Sequence, residues 1–507
     1  MERFPWLGVI GLMLGIFLGA LDGQIVSTAL PTMVGDLGGL DHLSWAVTAY
    51  LLTSAAATPL WGKLGDLYGR KGAYQGAVVL FLAGSVLVGL ARSMEQLIAF
   101  RALQGVGAGG LMVGALAVVG VLVPAEGRGR VQSVIGVLMP VAFVGGPLLG
   151  GFLTDHLSWR WAFYVNVPVG VFALAAVAGG GGGGGPPPPP PRTGARIDWA
   201  GVGLLTGGVL ALTLVGSWGG TAYGWTSPQV LGAAAVAVVA LARFVRVERR
   251  AVEPLIPPAL FRHRAVTEAL VLGFLLGGLM LVLVGYLPQY LQFVQGASPT
   301  TGGLLLVPLM LGMIGAQLVT ARLVARGGSG RHHPLLGSAV ALAGTLLLLT
   351  LGTDTPQLLA SALTVVAGAG IGLVMQSTLL ATMAAVPPRD MGAAMGSVML
   401  FRTIGGSLGM AALGAVYTAR LSSSLSGGPG ADAAVPTADG LTPAAVDHLP
   451  AQAAEAVRTA VTTGLHGTLL GAAAVAAAAV VVAALARRAA PAPVGDRSPE
   501  PAPADLG

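Results

Sequence analysis

The stretch WGKLGDLYGRKGAYQ, from Trp61 to Gln75, sets four charges (Lys63, Asp66, Arg70 and Lys71) among glycines. Long, almost uncharged runs lie on either side of it. Such a charged island reads as a tight loop joining two membrane-spanning helices, since a bilayer core about 30 Å thick takes roughly 20 apolar residues per helix. The rest of the chain agrees. Of 507 residues, 54% are hydrophobic and only 9% are charged. The mean hydropathy is +0.79. A soluble domain carries about 25% charged residues. The fold class expected is therefore an all-α polytopic membrane protein.

Outward from that loop, fourteen apolar runs can be marked, at about 6–30, 43–61, 73–91, 96–122, 131–154, 161–178, 199–218, 229–245, 265–288, 300–321, 334–352, 357–386, 393–417 and 464–486. The basic residues between them alternate by side. One set of loops holds Arg3, Lys63, Arg70, Lys71, Arg128, Arg130, Arg192, Arg196, the six arginines from Arg243 to Arg264, Arg322, Arg326, Arg331, Arg389, Arg487, Arg488 and Arg497, which is 21 of the 27 Lys and Arg. The other set holds Arg92, Arg160, Arg420 and Arg458, while Arg101 and Arg402 fall inside runs. The positive-inside rule then puts both termini in the cytoplasm, which only an even number of spans allows. The first run is too long for a signal-peptide core and is read as a retained helix.

Several classes of function are disfavoured. The net charge of +6 is sorted by membrane side, so it does not mark a nucleic-acid partner. A chain without cysteine has no disulfide, thiol catalysis or thiolate metal site. It holds no Gly-x-x-x-x-Gly-Lys-Ser/Thr cradle, so direct drive by ATP is not expected. No enzyme, cofactor or metal site is indicated, and His332-His333 beside Pro334 reads as loop polarity rather than as a ligand pair.

The chain also repeats itself. LQGVGAGGLM (Leu103 to Met112) resembles VAGAGIGLVM (Val366 to Met375), Pro124 to Ser133 resembles Pro388 to Ser397, and Leu64 to Gly69 has an echo in Leu323 to Gly328. Steps of about 260 residues imply two six-helix halves in the same orientation, with a binding site where they meet. The organisation expected is a bundle at 1–178, a low-complexity cytoplasmic linker at 179–197, two additional helices at 198–245, a cytoplasmic loop at 246–264, a second bundle at 265–486 with a long external loop at 418–462, and a disordered tail at 487–507. The linker opens with GGGGGGGPPPPPP, flexible glycine followed by stiff polyproline.

Charge inside a span is costly and usually lines a pathway. Glycines 8, 11, 15 and 19 form a stripe along the first helix, and Asp22 continues it. Its depth and facing are compatible with its being a neighbour of Arg101 in the fourth helix. Two readings are open: a protonatable site that responds as a cavity opens, or a permanent structural ion pair. Arg402, near the midplane beside Gly406 and Gly409, either binds an anionic substrate group or holds a helix carbonyl. Gln104, Tyr286, Gln289, Tyr290 and Gln376 are cavity candidates, with interhelical bonding as the plainer alternative.

Gly62-Lys-Leu-Gly-Asp66-Leu-Tyr-Gly69-Arg70-Lys71 resembles the loop motif between helices 2 and 3 of the major facilitator superfamily. LDGQIVSTALP (Leu21 to Pro31), FRALQGVGAGG (Phe100 to Gly110), GGPLLGG (Gly145 to Gly151), WRWAFYVNVPVG (Trp159 to Gly170), YLPQYLQFVQGASPTTGG (Tyr286 to Gly303) and FRTIGGSLG (Phe401 to Gly409) follow in the order of its fourteen-helix drug:proton antiporters. The resemblance implies a major facilitator fold of two six-helix bundles plus two central helices. It implies that Gly62, Asp66, Gly69, Arg70 and Lys71 form a cytoplasmic gate, with Asp66 at a helix N-terminus. It further implies that Gly146, Pro147, Gly150 and Gly151 shape helix 5 of an antiporter, and that Arg101 and Asp22 handle the proton. The first-helix motif departs from the family at Gln24 and Ser27, where Thr and Asn are usual. Together these features predict a proton-coupled efflux transporter of amphipathic or hydrophobic small molecules, working by alternating access. The alternatives are a dedicated exporter of one metabolite or antibiotic, and a non-transporting membrane sensor. The partners expected are a small-molecule substrate, protons and the lipid bilayer, in a monomer of the bacterial cytoplasmic membrane.

Overall fold

The computed structural model describes residues 6–37, 43–123, 125–179, 198–219, 223–251, 254–297, 304–326, 332–387, 390–427 and 449–488. Among these, helix falls within the expected apolar runs, with the sixth divided into two pieces and the tenth helical from Val307. In chain order the helices are α1 (Trp6–Leu37), α2 (Leu43–Tyr68), α3 (Arg70–Gly89), α4 (Met94–Leu122), α5 (Ala125–His156), α6 (Trp161–Tyr164), α7 (Asn166–Gly179), α8 (Trp199–Trp218), α9 (Pro228–Glu248), α10 (Arg264–Phe293), α11 (Val307–Ala325), α12 (His333–Leu348), α13 (Gln357–Ala385), α14 (Met391–Gly427) and α15 (Ala451–Arg488). Eleven helices among the described residues are long and apolar enough to cross a bilayer, and α12 is apolar but shorter. The chain is a multi-span, all-α membrane protein.

Local chemistry sets several boundaries. Ser93 and Ser227 cap α4 and α9 by accepting from Gln96 N and Val230 N, and Asp198 caps α8 by accepting from Gly201 N. The sixth run breaks at Val165, because Pro168 has no N–H for the carbonyl of Tyr164. Helix enters the expected external loop 418–462 from both ends, since α14 continues to Gly427 and α15 begins at Ala451 in an alanine-rich, helix-favouring segment. The linker 180–197, the loop centre 428–448 and the tail 489–507 lie outside the described residues. The outward face of α9 leaves Val236, Val238 and Val239 more than half exposed, an apolar surface that lipid rather than water covers.

Helix pairing falls into two equivalent sets. α1 packs on α4, α5 and α7; α2 on α4; α3 on α4 and α7. In the same way α10 packs on α13, α14 and α15; α11 on α13; α12 on α13 and α15. The repeated glycines explain the match. Gly105 and Gly109 of α4 press on the α2 backbone at Tyr50 and Ser54, and Gly107 presses on α3 at Phe81. Their counterparts in α13, Gly368 and Gly372, press on α11 at Leu309 and Met313, and Gly370 presses on α12 at Ala341. A Cβ at any of these positions would overlap main chain, so only glycine allows crossings this close.

α8 and α9 pack on each other and, through α8, on α2 and α14. The halves meet along α2 with α14 and along α5 with α11. Gly62 abuts Gly392, and Thr58 and Pro59 abut Gly396. Val131 and Ile135 share an apolar cluster with Leu379, Met383, Met391 and Met395. These contacts crowd toward the ends of the helices nearest Asp66, here termed the gate end.

Candidate functional site

The first-half bundle buries a polar cluster at its centre. Asp22 of α1 and Arg101 of α4 form an ion pair of 2.6 Å, with side chains 0% and 1% exposed. Asp22 Oδ1 also accepts from Gln104 Nε2 at 2.8 Å and from Asn166 Nδ2 at 2.9 Å. Arg101 donates from Nε to the Ala46 carbonyl and from Nη1 to Gln104 Oε1, and it lies 4.0 Å from the centre of the Tyr50 ring. Ser85 of α3 accepts from Gln104 and Asn166 and donates to the Phe163 carbonyl. The sequence placed Asp22 and Arg101 as neighbours and they meet. Gln104, expected among the cavity residues, is instead fully buried in this cluster.

Ser85, Asn166 and Tyr50 were not foreseen as part of the site. Asn166 starts α7 just after the break at Val165, which aims its amide inward. A polar residue inside each of two apolar runs was the available signal.

The gate end carries a second constellation. Gly69, with φ of 103°, makes the turn between α2 and α3 in a backbone region that favours glycine. Asp66 Oδ1 accepts from Arg70 Nη2 at 3.0 Å and from Gly392 N at 3.1 Å, and its Oδ2 accepts from Ala393 N at 2.9 Å. It therefore caps the N-terminus of α14 across the interface between halves. Burial pushes the Asp66 carboxyl above its ordinary value, against the opposing pull of Arg70 and of the Ala393 and Gly392 N–H groups. Arg70 reaches the Ala117 carbonyl of α4, and Lys71 donates to the Ala178 carbonyl of α7. Gly62 has no room for a side chain against the Gly392 backbone.

In the helix-5 motif, Gly146 faces Gln24 Cβ and Ile25 N of α1, two to three residues beyond Asp22. α5 runs helically through Pro147. Gly145 and Gly151 have open space around them. The cavity candidates of the second half separate into two kinds. Tyr290 is buried and donates to the carbonyl of Gly352, in the loop between α12 and α13. Tyr286 is partly buried, 4.8 Å from the Tyr417 ring, and Gln289 is also partly exposed. Gln376 is 1% exposed, with Nε2 lacking a partner among the described residues.

A family model described as Major Facilitator Superfamily matches residues 12–201 and 188–410. The multidrug transporter protein MdtP of Bacillus subtilis is 38% identical over 88% of this chain and 79% of its own. An uncharacterized MFS-type transporter of Mycobacterium tuberculosis is 41% identical over 87% of this chain, which spans 63% of that protein's length. The crystal structure of the human organic anion transporter MFSD10 matches with a TM-score of 0.60 over 94% of this chain and all of that one, at 17% identity, a likeness of fold alone.

Proposed function

The chain belongs to the major facilitator superfamily, a transporter and not an enzyme, and on that premise we propose that it is a proton-coupled exporter of amphipathic or hydrophobic small molecules. It sits in a bacterial plasma membrane with both termini in the cytoplasm, and the pair α8–α9 inserted between the halves favours the fourteen-helix branch. The names of its relatives, a multidrug transporter and several efflux pumps, favour outward transport. The observation that carries the reading is the Asp22–Arg101 pair, an intramembrane charge pair whose carboxylate accepts only from side chains of its own half.

The cycle follows from the geometry. In the observed arrangement the gate end is shut by Asp66 on α14 and by Gly62 against Gly392. Asp22 accepts from three side-chain donors. A proton that reaches Asp22 removes the charge that holds Arg101, so the guanidinium is released toward other acceptors. The helices that share this cluster are α1, α2, α3, α4 and α7, so its rearrangement shifts the whole first half against the second. Cargo in a chamber between the halves then faces the other side once the Asp66 contacts part.

The test uses purified protein in liposomes with an imposed acid gradient. Lipophilic probes move only while the gradient lasts, and an uncoupler stops them. Probe movement that ignores the gradient removes the proton from the mechanism.

A further inference from the structure

The second half contains a cation that the cycle above does not use. Arg402 lies eleven residues into α14, about 16 Å from its start and hence near the middle of a span. Among the described residues it makes no hydrogen bond and no ion pair, so the helix carbonyl considered as its partner is not there. Asp22, the one acid deep inside a span, is engaged with Arg101. Glu268 stands only four residues into α10. The interior of the second half thus holds an uncompensated positive charge, which is expensive in a membrane unless something arrives to neutralise it.

The facing of Arg402 is fixed by its neighbours on α14. Leu400 and Ile404 pack with Leu205 and Val209 of α8, and Ser407 and Ala411 face Gly216 of α8. That is the outer side. Met391, Met395 and Met399 lie on a different stripe, in or against the apolar cluster shared with the first half. Arg402 falls on this stripe by helical spacing, one to two turns above the seal. Its stem crosses the gap at Gly277 of α10, whose missing Cβ would stand 3.0 Å from Arg402 Cγ. The stripe it shares with Met391, Met395 and Met399 directs its side chain toward the first half.

A second unsatisfied group stands nearby in depth. Leu379 and Met383 of α13 belong to the same seal. Gln376 continues their stripe one turn further from the gate end, and its Nε2 is buried without a partner. An arginine and an amide N–H both need acceptors. A planar guanidinium fork matches a carboxylate in particular.

We propose that Arg402 and Gln376 form an acceptor-seeking floor of the chamber, which selects amphipathic cargo carrying an anionic group, a carboxylate first of all. This rests on the transporter reading and narrows its substrate class. An apolar body lies along the methionine stripe while the anion meets Arg402, so the cargo completes the electrostatics of the second half.

The experiment uses three probes with one pyrene body: pyrenebutyrate, its methyl ester and pyrenebutylamine. Binding is followed by fluorescence with purified protein, and transport in liposomes. Wild type is expected to bind the carboxylate at least tenfold more tightly than the ester. Arg402→Gln erases that preference and keeps ester binding; Arg402→Lys retains part of it; Gln376→Leu lowers it by a smaller factor. Wild type that binds none of the three, or favours the ester or the amine, overturns the proposal, as does a preference that survives Arg402→Gln. Binding with this pattern but no gradient-driven movement sinks the export reading and leaves the anion site standing; movement of all three without preference does the reverse.

Discussion

At the crossing of α3 and α4 the first half buries Ser85, Arg101 and Gln104, whereas at the equivalent crossing of α12 and α13 the second half has Thr345, Thr364 and Ala367. The equivalence rests on backbone contacts: Gly107 on Phe81 matches Gly370 on Ala341, and Gly105 on Tyr50 matches Gly368 on Leu309. Both threonines donate only to carbonyls of their own helix, Thr345 to Ala341 and Thr364 to Ser361. No acid occurs between Glu268 and Asp354. One scaffold is therefore used twice, once around a saturated ion pair and once around apolar packing. The second half keeps its intramembrane charge elsewhere, at Arg402 of α14, with the neutral amide of Gln376 on α13. Glycine crossings set the shape of each bundle, and under the proposed function the polar residues laid on that shape would divide the work: proton in the first half, cargo at the face of the second.

The largest effect expected from breaking this asymmetry is at Asp22. Asp22→Asn should reduce gradient-driven transport by about 100-fold or more in liposomes. It should also lower stability by about 3–5 kcal/mol, because Arg101 is left buried and uncompensated. The double variant Asp22→Asn with Arg101→Gln should recover the stability and not the transport. Thr364→Val, at the position in the second half equivalent to Arg101, should leave transport within twofold. Proton-driven transport that persists in Asp22→Asn would show that the buried pair is only structural.

Next in size is the packing of α5 on α1. A Cβ on Gly146 would meet Gln24 Cβ at 2.5 Å, and both groups sit on rigid helix. Gly146→Ala should lower thermal stability by about 1–3 kcal/mol, the usual range for overpacking. Gly151→Ala meets nothing and should be neutral or slightly stabilising, because alanine lowers the entropy of the unfolded chain. Equal losses in the two variants would mean that this motif acts through flexibility rather than through close approach.

The all-helical, multi-span fold, its repeated glycine crossings and the meeting of Asp22 with Arg101 were legible in the sequence. They depend on apolar run length, on glycine periodicity and on the rarity of intramembrane charge, and all three are local properties of the chain. The polar partners were less legible. Ser85 and Asn166 look like ordinary residues of an apolar run until the break at Val165 turns Asn166 toward Asp22. Gln104 was visible as polar, but its burial in the ion-pair cluster depends on the rotation of α4 about its own axis. Helix extends into both ends of the expected external loop because hydropathy reports the bilayer, whereas helices run past it wherever propensity allows. That Arg402 has no hydrogen-bond or ion-pair partner among the described residues is a property of everything around it, which no single stretch records.

A smaller effect is expected at the gate, where one residue of the first half acts on the second. Asp66→Asn keeps the volume and loses the charge that faces Arg70 and the α14 N-terminus. A charge of this kind is worth about 1 kcal/mol at a helix end, rising to about 2 where partly buried. Turnover should therefore fall by about tenfold, with pyrenebutyrate affinity within twofold of wild type. A matched loss of affinity and turnover would point to misfolding of the loop instead.

The smallest effect separates a ring from its hydroxyl. Tyr50 lies under Arg101, and its hydroxyl reaches the Gly19 carbonyl at 3.5 Å, too long to contribute much. Tyr50→Phe keeps the aromatic face and should change stability by less than about 0.5 kcal/mol. Tyr50→Leu installs the residue that the second half carries at the equivalent position, Leu309, which has no cation beside it. That change should cost about 1–2 kcal/mol, the worth of a desolvated cation–π contact, and should make transport more sensitive to the pH of the loaded side. If Leu is tolerated as well as Phe, the ring is only filler and the first half holds Arg101 by its hydrogen bonds alone. If Phe is as damaging as Leu, the hydroxyl belongs to the proton cluster and the Gly19 contact shortens during the cycle.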